Sequence, residues 1–262
     1  MKTIALLTDF GLSGNFAGVM KGVILKINSR LRLVDITHQV TAHDIAAAAF
    51  LLKGSYKYFP KGTIFLVVVD PGVGSKRRPI IIRSKNYLFV GPDNGALEPA
   101  ACADGIREIV AIENKSYFLK PLSGTFHGRD IFAPVAAYLS KGKKPNVFGR
   151  PLNSLKQSGI PSPEVSKDIL KGEVVYIDRF GNLVTNIDEA LFKRFRRNSN
   201  RRFKIKIKDT KINSLAGSYE AVRPGKPLAI FGSFGLLEIS VNKDSAEKHF
   251  RAKRGLAVKI LL

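Results

Sequence analysis

The chain has 262 residues, 45% hydrophobic and 24% charged, enough to bury one large core or two small ones. Lys and Arg outnumber Asp and Glu by 43 to 21, so the net charge is +22; this fits a polyanionic partner such as nucleic acid or a basic bias of the whole proteome, and says nothing about fold. No apolar run approaches the roughly 20 residues that span a bilayer, the single Cys102 excludes an intrachain disulfide, and no Cys/His cluster offers a zinc site, so neither a membrane nor a metal is expected.

Residues 4–7 are a short apolar run ending in Thr8-Asp9-Phe10-Gly11. Asp9 and Gly11 interrupt any likeness to a signal peptide and no small-residue cleavage site follows, so the run reads as a buried first strand and a cytoplasmic location is expected. A helical pattern covers 15–28, and a strand is expected at 31–36, with polar Asp35, Thr37 and His38 at its end. The Ala-rich stretch 44–59 predicts a helix with Asp44 as N-cap. Residues 64–69 are wholly apolar and stop at Asp70-Pro71-Gly72-Val73-Gly74. Runs at 80–82 and 87–90 lead into Gly91-Pro92-Asp93-Asn94-Gly95; a strand at 108–112 and a helix at 131–139, entered through Asp130 as cap, complete this part. Continuous apolar strands alternating with helices predict an α/β, sandwich-like domain over 1–150 whose mainly parallel sheet is covered on both faces. Ligands of such sheets bind beyond the carboxyl ends of the strands, where Asp9, Asp35, Asp70 and Asp93 recur.

From residue 141 to 167 the chain turns rich in Pro, Gly, Ser and Lys, and an interdomain connection is placed at 151–167. Beyond it, strand-like runs at 173–177, 183–187, 203–207, 227–231, 236–241 and 257–261 predict a smaller β-rich, barrel-like domain over 168–262.

Four stretches each admit two readings. DPGVGSKRR (70–78) is a phosphate cradle or a tight turn with solvated basic residues, and lacks the P-loop ending. His127, between Phe126 and Gly128, is a turn histidine or a chemical one. YIDRFGNLVTNI (176–187) is a hairpin turning on Phe-Gly-Asn, or a ligand edge in which Asp178 accepts, Phe180 stacks and Asn182 makes paired bonds to a base. FKRFRRNSNRRFKIKIK (192–208) interleaves Phe192, Phe195 and Phe203 with basic residues as single-strand binders do, while the alternation of 204–208 describes an edge strand guarded by lysines.

In order along the chain, TDFG (8–11), MKG (20–22), DITH (35–38), VVDPGVG (68–74), GPDNG (91–95), TFHGRDIFAP (125–134), IDRFGNLVTNI (177–187) and SFGLLEISVN (233–242) resemble the S-adenosylmethionine (SAM) hydroxide adenosyltransferases. These adenosine-forming SAM hydrolases are relatives of the SAM-dependent fluorinase and chlorinase. The resemblance covers nearly the whole chain and implies an α/β N-terminal domain, a β-rich C-terminal domain and a homotrimer with active sites at subunit interfaces. It implies hydrolysis of SAM to adenosine and L-methionine, with no cofactor, since SAM is the substrate. The implied catalytic triad is Asp70, Arg77 and His127, which the halogenating relatives lack. By the same resemblance Asp9 holds the ribose diol, Asp178 and Ser233 bind the methionine moiety, Asn182 reads adenine, Phe180 and Tyr219 form aromatic walls, and Phe126 belongs to the pocket around His127. Two positions depart from the pattern: the loop after TDFG reads Ser13-Gly14-Asn15-Phe16 without the usual acidic residue, and His43 stands where a relative has a tryptophan.

In the implied reaction a sulfonium leaves as a neutral thioether, so no acid is needed and the difficulty lies in the nucleophile. Water has a pKa near 15.7 and histidine about 6.5, so His127 cannot make much free hydroxide but can accept the proton as the transition state forms. Asp70 would orient the water or the imidazole, Arg77 would hold Asp70 ionised or stabilise partial hydroxide character, and which of the three takes the proton stays open at this point. Two alternatives stand beside hydrolysis: a halogenase forming 5′-halo-5′-deoxyadenosine, and a non-catalytic adenosyl-ligand or nucleic-acid binder suggested by the 192–208 run.

Overall fold

The computed structural model describes residues 1–197 and 202–262, and these form two compact units, Met1–Gly159 and Ile160–Leu262. The central strands of the first unit are apolar along their whole length because both faces of the sheet are covered. Its strands are β1 (Lys2–Thr8), β2 (Leu31–Thr37), β3 (Ile64–Val68), β4 (Pro79–Ser84), β5 (Leu88–Pro92) and β6 (Ile106–Ala111), in the order β2-β1-β3-β5-β4-β6. The first four of that order run parallel, and β4 is antiparallel to both neighbours. The helices are α1 (Phe16–Ile27), α2 (Ile45–Ser55), α3 (Glu98–Asp104) and α4 (Ala133–Ser140). Ile4, Leu6, Ile64 and Leu66 share one buried cluster with Met20 and Ile24 of α1 and with α4. Ala5, Leu7, Phe65 and Val67 point the other way and are just as buried. Asp44 caps α2 by accepting from Ala47 N at 2.9 Å, as its position suggests.

The second unit is antiparallel throughout. Its strands are β7 (Glu164–Val165), β8 (Ile169–Ile177), β9 (Leu183–Asp188), β10 (Lys204–Ile207), β11 (Thr210–Ile212), β12 (Pro227–Phe231), β13 (Leu236–Val241) and β14 (Ala257–Leu261). They follow the order β11-β10-β14-β8-β9-β13-β12, with β7 added to β8. The sheet curls towards closure, and Ala216 N, beyond β11, donates to Ala229 O of β12 at 2.8 Å. Two helices, α5 (Glu189–Arg196) and α6 (Ala246–Phe250), interrupt the strands.

Three local expectations change. The alternation of 204–208 is real, since Ile205 and Ile207 are fully buried, but β10 lies between β11 and β14, and β11 is the edge. The phenylalanines of the basic run are core rather than a stacking platform: Phe192 is buried 5.3 Å from Phe203 and 5.4 Å from Phe231, centroid to centroid, and Phe195 packs on the same cluster. Residues 198–201 of that run lie outside the described residues. Asp130 does not cap a helix: it is fully buried inside a π-helical turn, Gly128–Phe132, that precedes α4.

Candidate active site

Loop 70–78 begins where β3 ends, and it folds back on itself. Val73 N donates to Asp70 O and Ser75 N to Gly72 O, both at 3.1 Å, which engages two of the amides a phosphate cradle would need. Arg77 N donates to Ser75 Oγ at 3.2 Å, and its side chain returns to the start of the loop. Arg77 Nε donates to Asp70 Oδ1 at 3.0 Å and Oδ2 at 2.9 Å, and Nη2 to Oδ2 at 2.5 Å. Both side chains are about nine-tenths buried or more, at 10% and 6% exposure, so water screens this pair weakly. The same Nη2 lies 2.8 Å from His127 Nδ1. The three residues picked out as a triad therefore form one chain of hydrogen bonds with Arg77 in the middle.

His127 directly precedes the π-helical turn, in which Ala133 N reaches back five residues to Gly128 O. Such widened turns recur where a side chain must be aimed at a site. Buried Asp130 anchors the turn: Arg129 Nε donates to its Oδ1 at 2.6 Å, and Ser123 N to its Oδ2 at 2.8 Å. Burial pushes the His127 imidazole below its ordinary pKa of 6.5, and the Arg77 charge pushes it further, against the opposing pull of Asp70 and Asp130. At pH 7 the ring is neutral. A guanidinium can only donate, so Nδ1 is the acceptor and the single ring hydrogen sits on Nε2.

Asp70 and His127 line a cavity of about 330 Å³, and Asp9, His43 and Phe126 line it too. Asp9 follows β1, the strand beside β3, and its Oδ2 accepts from His43 N at 2.9 Å. His43 has the left-handed φ of 66°, which for a non-glycine residue marks a held conformation. Phe126, Phe10 and Phe16 pack edge-on or tilted with centroids 5.1–5.8 Å apart, forming an apolar wall. Phe10 and Phe16 were not singled out by their sequence context.

The other two strand-end aspartates stand apart. Asp93 is buried, ion-paired with Arg78, and accepts from Lys156 N at 2.8 Å. Asp35 pairs with Lys21 at 2.6 Å. Neither lines this cavity.

The second unit holds its own cavity, of about 850 Å³, lined by Asp178, Phe180, Asn182, Tyr219, Ser233 and Glu238 among others. Asp178 organises the turn between β8 and β9. Its Oδ1 accepts from Phe180 N at 2.8 Å and Asn182 N at 2.9 Å, and its Oδ2 from Asn182 Nδ2 at 2.9 Å. Hairpin and ligand edge are thus one object: the turn holds Asn182 buried and leaves Phe180 77% exposed. Ser233 and Phe234 top the tight turn from β12 to β13, closed by Gly232 N to Leu236 O at 3.0 Å. Glu238 was not singled out. It is nearly buried and accepts from Tyr219 Oη and Ser240 Oγ, each at 2.8 Å. Burial and this carboxylate push the Tyr219 phenol up to about 12. Its one sequence signal is a carboxylate inside the apolar run Leu-Leu-Glu-Ile-Ser-Val.

Among the described residues, no group of His, Cys, Asp and Glu is placed to hold a metal ion, and no helix is long and apolar enough to cross a membrane.

Fold and site define a two-unit protein in which a mainly parallel α/β unit presents an Asp–Arg–His chain at its strand ends and a barrel-like unit presents an Asp, Asn and Tyr pocket. Family models of the SAM hydroxide adenosyltransferase N-terminal and C-terminal domains match residues 4–149 and 172–259, and the chain belongs to this family. A Thermus thermophilus protein named (R)-S-adenosyl-L-methionine hydrolase is 33% identical over the full length of both chains. A Thermotoga maritima protein of solved structure, described as an uncharacterized conserved protein, superposes with a TM-score of 0.91 at 38% identity, covering 99% of this chain and all of the other. More distant relatives are named fluorinase; one from Actinoplanes is 28% identical over 70% of this chain and 71% of its own.

Proposed function

We propose that the chain hydrolyses SAM to adenosine and L-methionine by in-line attack of water on the ribose C5′. The observation that carries this reading is the continuous hydrogen-bond chain Asp70–Arg77–His127 at a cavity wall, with a second carboxylate, Asp9, in the same cavity. The water oxygen bonds to C5′ as the C5′–S bond breaks; the bonding pair goes to sulfur, which leaves as a neutral thioether, and one proton is released overall. Neutral His127 has its acceptor nitrogen occupied by Arg77, so it offers the water a donor, Nε2–H, and orients it. Asp70 keeps lone pairs beyond those Arg77 fills, and its carboxylate accepts the hydrogen bond that strengthens as the water loses its proton. Arg77 fixes both partners at once. Asp9, Asp178, Ser233, Asn182, Phe180 and Tyr219 are assigned the ribose, methionine and adenine contacts given above, and Phe126 walls the reacting end. The accompanying assembly is a homotrimer with interface active sites, to be checked by light scattering, and the compartment is the cytoplasm.

Chromatography of SAM incubated with purified protein is the direct test. Adenosine and L-methionine are expected in equal amounts without added metal. A 5′-halo-5′-deoxyadenosine as the main product in excess chloride or fluoride would replace hydrolysis with halogenation, and unchanged SAM would remove both.

A pH dependence follows from the lowered His127 pKa. Protonation puts a hydrogen on Nδ1, facing the Arg77 donor, and adds a charge beside a cation. The acid limb of kcat/KM is therefore expected below pH 6.5 and absent in His127→Gln; a limb centred above 6.5 contradicts the assignment. The sign for stability agrees. The unfolded chain binds this proton more readily, so the His127 contribution is full above pH 6.5 and is lost as pH falls towards the folded-state value.

A further inference from the structure

We propose that the outer face of the barrel-like unit binds the phosphodiester backbone of a nucleic acid duplex through a row of lysines running across four strands. In the antiparallel register Lys211 stands opposite Lys206, Lys206 opposite Lys259, and Lys259 opposite Lys171. Residues directly opposite share a face, with Cβ atoms about 4.5–5.5 Å apart. The residues alternating with them, Ile205, Ile207, Val258, Ile260 and Leu170, are buried inside, so the lysines project outward. The row covers three inter-strand steps, about 14 Å. Lys204, two residues from Lys206, lies on the same face. Among the described residues only Lys171 of this group has a carboxylate partner, Glu164 on β7 at 3.1 Å.

Like charges directly opposite one another destabilise a sheet. An outer face needs polar residues, not four aligned cations; Thr or Glu at alternate positions would keep it solvated without the repulsion. The arrangement makes physical sense when an anion lies along it. The net charge of +22 points the same way, because long-range attraction does not serve a substrate that carries a sulfonium and an ammonium. The row is one lysine wide except at β10, where Lys204 adds a second, and it contains no aromatic or Arg residue, so it offers point charges to phosphates without stacking or base readout. That fits the regular backbone of a duplex better than unstacked single strands. It also fits a duplex better than an anionic bilayer, which rewards a broad basic face. The row occupies β11, β10, β14 and the first half of β8, whereas the cavity of Asp178 and Tyr219 is formed by the end of β8 with β9, β12 and β13 and the segment carrying Tyr219. Duplex binding and SAM turnover are therefore separable.

Fluorescence anisotropy with a labelled DNA duplex of about 20 base pairs, titrated from roughly 50 to 300 mM KCl, tests this. Wild-type protein is expected to bind with log K falling against log salt at a slope of about −3 to −4, near −0.9 per neutralised phosphate. The double variant Lys206→Glu/Lys259→Glu is expected to bind at least tenfold more weakly, with the slope reduced by about 2. Its thermal midpoint should rise, because the two outer Lys–Lys pairs of the row become opposite-charge pairs and only the central pair stays like-charged, and its SAM turnover should match wild type. No duplex binding at the lowest salt, binding that the double variant retains, or capture by phosphatidylserine vesicles without duplex binding each overturns the proposal. A lower thermal midpoint in the double variant overturns the repulsion on which it rests.

Discussion

Asp70→Asn is expected to lower kcat for SAM hydrolysis by about three orders of magnitude, roughly 4 kcal/mol, with KM changed little. The substitution keeps shape and volume but removes the one group that can both hold Arg77 in place and accept from the attacking water. Arg77 donates three hydrogen bonds to that carboxylate, and an amide presents one oxygen where two are used. The guanidinium then keeps one amide oxygen and His127 Nδ1 as acceptors, and the water loses the carboxylate that would accept from it as its proton becomes acidic. His127→Gln should cost much less, because an amide N–H can still donate to the water oxygen. His127→Ala, which removes that donor, should fall between the two. Steady-state rates with circular dichroism on each variant check the order. A His127→Gln loss equal to that of Asp70→Asn would make the histidine the proton acceptor and reverse the roles assigned here.

Much of this site was legible in the chain. A wholly apolar run with an abrupt end is what a central parallel strand requires, so β3 and the aspartate after it stood out. Less visible was which strand ends share a cavity. Four aspartates end strands, but β1 lies directly beside β3, and only Asp9 and Asp70 reach the cavity. What separates Asp70 from Asp93 is the adjacent pair Arg77 and Arg78: Arg77 returns to Asp70 and His127, and Arg78 goes to Asp93. No local pattern announces that division. The role of Asp130 was misread for a similar reason. An acidic residue before a helical run suggests a cap, yet here it is a buried anchor for the loop that carries His127. Helices α5 and α6 are short, with 8 and 5 residues, and the charged face of α5 hid a single buried anchor, Phe192. The proton position on His127 depends on Arg77 arriving from 50 residues away, which only the folded chain shows.

Loop apposition gives the second large effect. Gly74 has φ of 76°, and a Cβ there would sit 2.5 Å from Gly124 O, so the loop holding Asp70 and Arg77 touches the loop leading to His127 backbone against backbone. Gly74→Ala forces these loops apart while leaving every proposed catalytic side chain chemically unchanged. A misplacement of about 1 Å can cost around a hundredfold in rate, and a loss of that size in kcat is expected. Left-handed backbone strain alone adds about 1–2 kcal/mol of destabilisation. Gly142 supplies the control: its φ is 90°, and an added Cβ would meet nothing within 4 Å. Gly142→Ala should therefore lower the thermal midpoint by a comparable amount and leave turnover within about twofold of wild type. The comparison isolates the contact from the strain. If Gly74→Ala also keeps its activity, the three side chains reach their positions without the backbone contact, and the hydrogen bonds through Arg77 alone suffice to hold the site.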